Sequence, residues 1–190
     1  MNNQQQRVVV IKLLDALKKN GSWCGETHIQ KAVFFLKAIK KVPVDFNFIL
    51  YKHGPFSFDL RDHLPLMRLD GLIDMVINPI PYGPSLKVTD RGEKFLKQCP
   101  KTVKKYKDKV NFIARFVGSK KVAELERLGT ALYITLKEDI KDIRKRARLI
   151  NKKKSHISVE EATFAVKSID DLLNSHLTRE ENNHANIETA

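Results

Sequence analysis

Long hydrophobic runs are missing from this sequence: no stretch of about 18 apolar residues occurs, which excludes a membrane-spanning helix. Cysteine is scarce. Cys24 and Cys99 stand far apart with no second pair, which removes the ligand spacing of a zinc site and fits free, partly buried thiols in the cytoplasm. Tryptophan occurs once, so a core must come from the 10 phenylalanines with Leu, Ile and Val. The opening MNNQQQRVVVIKLLDALKK is polar and then helical, with charge inside its apolar part, unlike a secretory signal. No internal repeat occurs. An apolar content of 42% lies below the usual half yet still permits a core, and 190 residues suit one domain, or one with an appended helical piece.

Positive charge is abundant and unevenly placed. Residues 1–100 carry 15 basic and 9 acidic side chains, a net of +6. Residues 101–154 carry 18 and 6, a net of +12, and residues 155–190 carry 2 and 7, a net of −5. A block this basic implies a polyanionic partner, nucleic acid first and an acidic protein second.

Apolar residues at 10, 13, 14 and 17 predict a helix over 8–19, stopped by Asn20-Gly21. A second amphipathic helix is expected over 26–40, with Ile29, Val33 and Leu36 inward and Pro43 beyond it. FNFILY (46–51) is β-rich, and Gly54-Pro55 is expected to end any regular element there. Ser57 is a plausible N-cap for a helix toward Leu69 that buries Leu60, Leu64 and Met67 and contains Pro65; Gly71 closes it as a left-handed cap. LIDMVI (72–77) and LKVT (86–89) form strands around the loop NPIPYGPS, and Thr89 or Asp90 caps a helix through Gln98. Val103, Tyr106, Val110, Ile113 and Val117 give a helix over 101–117. Leu125, Leu128, Leu132, Leu136, Ile140, Ile143, Ala147 and Ile150 then keep a 3-4 rhythm, either one long helix or two broken near Gly129. Ser158 to Glu161 is a capping box for a last helix through about Leu177.

Three helices followed by a hairpin is the order of a winged helix-turn-helix. The expected fold is therefore mainly α (α+β): a winged-helix-like domain over 1–100, a helical extension over 101–177 and a disordered tail over 178–190.

The stretch YKHGPFSFDLRDH (51–63) crowds titratable groups together. For catalysis, His53 would need a nucleophile or metal companions, and no HxH, HxxxH or CxxC spacing provides them. Gly54, Pro55 and Ser57 make better sense as a turn and a helix cap, with Phe56 stapled onto the first helical turn. Asp59 and Asp62 in the first turns suit the helix dipole and repel phosphate, so this helix is a poor reader of bases and a better protein-facing element. The expected partner-binding residues are Tyr51, Lys52, His53, Phe56, Phe58, Arg61, Arg68 and Tyr82, the last at the tip of a wing loop that has no cation before Lys87.

The stronger electrostatic feature lies downstream. At about 100° per residue, Leu136, Ile140, Ile143, Ala147 and Ile150 share one sector of a helix, while Lys137, Lys141, Arg144, Lys145, Arg148 and Lys152 share another. With Lys153 and Lys154 at its end, this basic face could track phosphates; a solvated lysine face accounts for the same pattern. Lys101, Lys104, Lys105, Lys107 and Lys109 form a second cluster.

THIQKAVFFLKAI, FILYKHGPFS, LMRLDGLI and LKVTDRGEKFL, together with KKKSHISVEEATFAVKSIDDLL, resemble the YwgA-like family of bacterial proteins and, more distantly, the Panacea domain of toxin–antitoxin operons. Residues 8 to 175 carry the resemblance; Pro65 departs from it by interrupting a helix expected to be continuous in relatives. It implies a small α-rich domain, neutralisation of partner toxins in the Panacea case, and no enzymatic activity. The expectation is thus a non-enzymatic, cytoplasmic regulatory or antitoxin-type module without cofactor or metal. It would hold a protein partner encoded nearby, a toxin or defence component, with nucleic acid on the basic surface. The alternative is a winged-helix DNA-binding regulator acting as a homodimer, and an enzyme such as a metal-dependent nuclease ranks last.

Overall fold

Asn2 starts the first helix well ahead of the expected Val8. Its side chain accepts the Gln5 N–H at 2.8 Å while the Gln5 side chain accepts the Asn2 N–H, a reciprocal cap that overrides the weak apolar content of NQQQ. The computed structural model describes residues 1–79 and 83–188, with side chains through residue 175. It is mainly helical with two small antiparallel hairpins. Two compact units divide it, Met1–Glu126 and Arg127–Ala190. No helix among the described residues is long and apolar enough to cross a membrane.

In the first unit, α1 (Asn3–Lys19) and α2 (Glu26–Ala38) pack on α5 (Pro100–Val117). Leu13, Leu17, Ile29, Phe35, Val110, Ile113 and Val117 are all buried, with Phe35 on Phe116 at 5.6 Å. Residues 101–117 therefore pack within the first unit, which runs through Glu126. Proline starts α5 without penalty, because an N1 amide has no intrahelical acceptor.

The turn after Tyr51 departs from expectation. Gly54-Pro55 does not end regular structure: β2 (Gly54–Phe56) pairs antiparallel with β1 (Ile49–Tyr51), Tyr51 opposite Gly54 and Leu50 opposite Pro55. A two-stranded ribbon has only edges, where a residue without an N–H is tolerated, and Gly54 adopts φ 83° to make the reversal. Ser57 then caps α3 (Phe58–Leu69), accepting the Leu60 N–H. Leu60, His63, Leu64 and Met67 are buried, and Pro65 lies on the exposed side. Gly71 ends α3 at φ 67°, with its own N–H bonded to the Arg68 carbonyl and the Leu72 N–H to the Met67 carbonyl. The second hairpin, β3 (Ile73–Val76) and β4 (Ser85–Val88), leads to α4 (Asp90–Gln98), capped by Thr89.

The long 3-4 rhythm does not make one helix, nor does it break at Gly129. α6 (Val122–Lys137) contains Gly129 in its interior, and the break is at 138–142. Glu138 and Asp139 oppose the negative end of a helix dipole, and Asp142 accepts the Lys145 N–H to start α7 (Ile143–Lys153). In the second unit α7 packs on α8 (Val159–Glu188), whose expected capping box is present: Ser158 and Glu161 exchange side-chain bonds to each other's N–H. Ala147, Ile150, Ile157, Ala162, Ala165, Val166 and Ile169 are buried. The tail expected to be disordered, 178–190, lies outside the residues whose side chains are described.

Candidate functional site

The first hairpin is held by α2 through buried polar groups. The Gln30 amide donates to the Ser57 carbonyl at 3.0 Å and accepts the Ser57 N–H at 2.9 Å, and Gln30 is fully buried. Lys31, 2% exposed, donates to the Pro55 carbonyl at 2.9 Å. Two adjacent residues of one helix thus satisfy the backbone of a turn that would otherwise bury unpaired groups. Asp59 adds a third tie by accepting the Asn47 N–H at 2.9 Å.

Held this way, the hairpin presents a three-ring cluster. Tyr51, Phe56 and Phe58 lie 5.1–5.6 Å apart, and the Arg61 guanidinium sits 4.9 Å from the Phe58 ring. Tyr51 is 51% and Phe58 39% exposed, which is unusual for aromatic rings in a chain with an ample core. Tyr51, Lys52, His53 and Phe56 line one concavity of about 190 Å³ with Glu26 and Thr27 of α2, two residues the sequence did not single out. Arg68 projects from the last turn of α3 on the same side as Arg61, seven positions on. Exposed Leu66 and Leu69 extend that helix's apolar surface. Tyr82 lies outside the described residues.

The histidines of this region are not brought together. His53 is exposed, 3.6 Å from the buried Glu126 carboxylate. His63 is buried with its ring 5.5 Å from Phe46, and burial together with the nearby Arg7 charge pushes its pKa below the ordinary value. Among the described residues no three His, Cys, Asp or Glu side chains converge as metal ligands. Cys24 is fully buried, its thiol facing the Leu14 and Ser22 carbonyls, and burial raises its pKa, which suits packing rather than reactivity.

The basic stripe is divided by the break at 138–142. Lys137 ends α6 and Lys141 lies in the connection, so neither shares a helical face with the rest. Arg144, Lys145, Arg148 and Lys152 keep their common sector on α7 and are exposed, as is Lys153. Lys154, only 9% exposed, is the C-cap of α7 and donates its N–H to the Ile150 carbonyl. Arg146, inside the same basic run, is instead a buried staple. It donates two parallel hydrogen bonds to the Asp170 carboxylate of α8 at 2.8 and 2.6 Å and also donates to the Thr135 hydroxyl and the Lys141 carbonyl. Beside it, Arg144 and Arg148 face Thr163, Phe164 and Lys167 of α8 across a groove of about 420 Å³. Phe164 is 72% exposed. Its sequence signal is a phase error, since Ala162, Ala165, Val166 and Ile169 mark the buried side of α8 and Phe164 falls off it.

In the first unit, Lys104 and Lys107 of the other basic cluster line a cleft of about 680 Å³ with Lys12, Lys19 and Lys97. Asp15 in that cleft is paired to Lys12 and Lys19 at 3.0 and 2.9 Å.

No protein-family model matches the chain, and no curated protein matches it.

Proposed function

We propose that this protein is a non-enzymatic regulatory or antitoxin-type binding module. It holds a protein partner on the β1–β2 and α3 surface and nucleic acid on the basic face of α7. The observation that carries the first part is the buried anchorage of the hairpin by Gln30 and Lys31, beneath a cluster in which exposed Tyr51, Phe58 and Arg61 surround the half-buried Phe56. Aromatic rings and arginine on a rigid support are the side chains that dominate protein interfaces, because they bury much area at little entropic cost. The resemblance to YwgA-like and Panacea sequences supports the antitoxin-type character, and the scarcity of cysteine supports a cytoplasmic setting.

Co-expression with the products of adjacent genes tests the proposal. A partner should co-purify with the wild type and be lost with Tyr51→Ala plus Phe58→Ala, at unchanged thermal stability. Co-purification that survives both substitutions overturns this surface as the partner site.

The order α1, α2, the β1–β2 hairpin, α3, then the β3–β4 hairpin supports a winged-helix reading of the first unit, and with it the alternative of a dimeric DNA-binding regulator. Asp59 in the first turn of α3 and Asp62 in the next weigh against that helix entering a groove lined by phosphates.

A further inference from the structure

The groove between α7 and α8 combines features that a solvated lysine face lacks. Arg144 and Arg148 stand one turn apart on α7, and Lys167 faces them from α8, three cations around one depression. Phe164 lines the same depression and leaves most of its ring in solvent. The two helices are locked in register by Arg146 and Asp170, so the groove is preformed. The neighbouring acids are accounted for in part: Asp170 is bound by Arg146, Glu161 by Arg127 at 2.9 Å, and Asp142 caps α7. Glu160 remains on the rim, one turn N-terminal of Phe164, and excludes phosphate from that end.

We infer that this groove binds single-stranded nucleic acid, with phosphates on Arg144, Arg148 and Lys167 and one base stacked on Phe164. This rests on the proposal that the α7 face contacts nucleic acid, and it specifies the strand. In a duplex the bases are stacked on one another and their faces are closed to a side chain, whereas a single strand offers them. A basic patch that served duplex phosphates alone would gain nothing from an exposed phenylalanine. A run of Asp and Glu would satisfy the cations but offers no aromatic face to the ring.

The test is fluorescence anisotropy of the full chain with a dye-labelled, mixed-sequence oligonucleotide of about 10 nucleotides, longer than the three phosphates the groove contacts and within the site sizes of single-strand-binding folds. DNA and RNA single strands, the matching duplex and a polyglutamate peptide form the parallel arms. Tighter binding of either single strand than of duplex is expected, and the two single-strand arms show which sugar is preferred. The salt dependence should have a log–log slope of about −2, for three phosphate contacts. Phe164→Ala should weaken binding about tenfold, the loss of one stacked base. Phe164→Trp should restore it, and Arg144→Glu with Arg148→Glu should abolish it. Equal binding of duplex, indifferent to Phe164→Ala but lost on charge reversal, overturns the single-strand inference and leaves the α7 proposal standing. No binding of any nucleic acid at low salt removes both. Polyglutamate bound as tightly as the oligonucleotides overturns the inference, since the groove would then select charge alone.

Discussion

Gln30 and Ser57 exchange two hydrogen bonds, the amide of one meeting both the N–H and the carbonyl of the other as a neighbouring strand would. This pairing explains why the stretch after Tyr51 is shaped as it is. The turn must leave a serine backbone facing α2, and Ser57 is spared for that role because its hydroxyl is occupied in capping α3. Gln30→Ala strands both buried backbone groups and should destabilise the protein by about 2–4 kcal/mol. Chemical denaturation measures the loss. Gln30→Glu should fare little better, since a carboxylate keeps the acceptor and sets negative charge against the Ser57 carbonyl.

His28 links three segments. The indole N–H of Trp23 donates to His28 Nδ1 at 3.0 Å, so Nδ1 carries no proton and Nε2–H donates to the Lys120 carbonyl at 2.8 Å. Protonation of Nδ1 would break the Trp23 bond. Burial lowers the pKa of His28, and burial with Arg7 lowers that of His63. Each therefore contributes stability that is fully present above the unfolded value of about 6.5 and is lost as pH falls through the lower folded value. Thermal melts between pH 7.5 and 5 should show a decreasing midpoint. The single tryptophan provides a local reporter: its emission should change with acid in the wild type and stay flat over the same range in His28→Gln.

Gly92 lies in the first turn of α4, where an added Cβ would overlap the Leu72 carbonyl oxygen and touch the Val88 side chain. Backbone cannot swing aside as a side chain can. Gly92→Ala should cost about 1–3 kcal/mol by overpacking. A wild-type midpoint in urea for this variant would show that α4 can shift away from the strand.

Arg146 and Asp170 hold α7 to α8, with the arginine side chain 5% and the aspartate 26% exposed. Breaking a buried pair leaves a charge behind, so Arg146→Met should destabilise the second unit by about 3 kcal/mol, the lower end for such pairs because Asp170 reaches solvent. Arg144→Ala and Arg148→Ala, two residues to either side in the same basic run and exposed, should leave the melting temperature nearly unchanged. Circular dichroism melts of the three variants separate the staple from the surface.

Local chemistry was legible in the sequence wherever a cap or a period acts within a few residues. Ser57, Gly71, Thr89 and Ser158 each end or begin a helix through bonds to backbone three to five residues away, and so they stand where the sequence places them. The period of α5 likewise names its buried side, whereas α2 is buried all round from His28 to Leu36, beyond the one face its period marks. Errors arose where a local preference met a distant partner or where two local signals competed. Gly54-Pro55 reads as an ending, yet it forms a strand whose proline carbonyl is taken by Lys31, a charged residue on the face of α2 that the hydrophobic period alone leaves unexplained. The apolar rhythm from Leu125 to Ile150 reads as continuous, yet the acids at 138 and 139 and the Asp142 cap interrupt it.

The basic run 144–148 shows the division most plainly. Sequence alone determined that these residues are cationic, helical and largely on one side, because charge and a 3.6 period are properties of neighbours along the chain. Only the tertiary structure decided that Arg146 is spent on Asp170 while Arg144 and Arg148 remain in solvent beside Phe164. Which arginine is a staple and which a ligand depends on a helix that begins after the run has ended, and contact between elements cannot be read from either one.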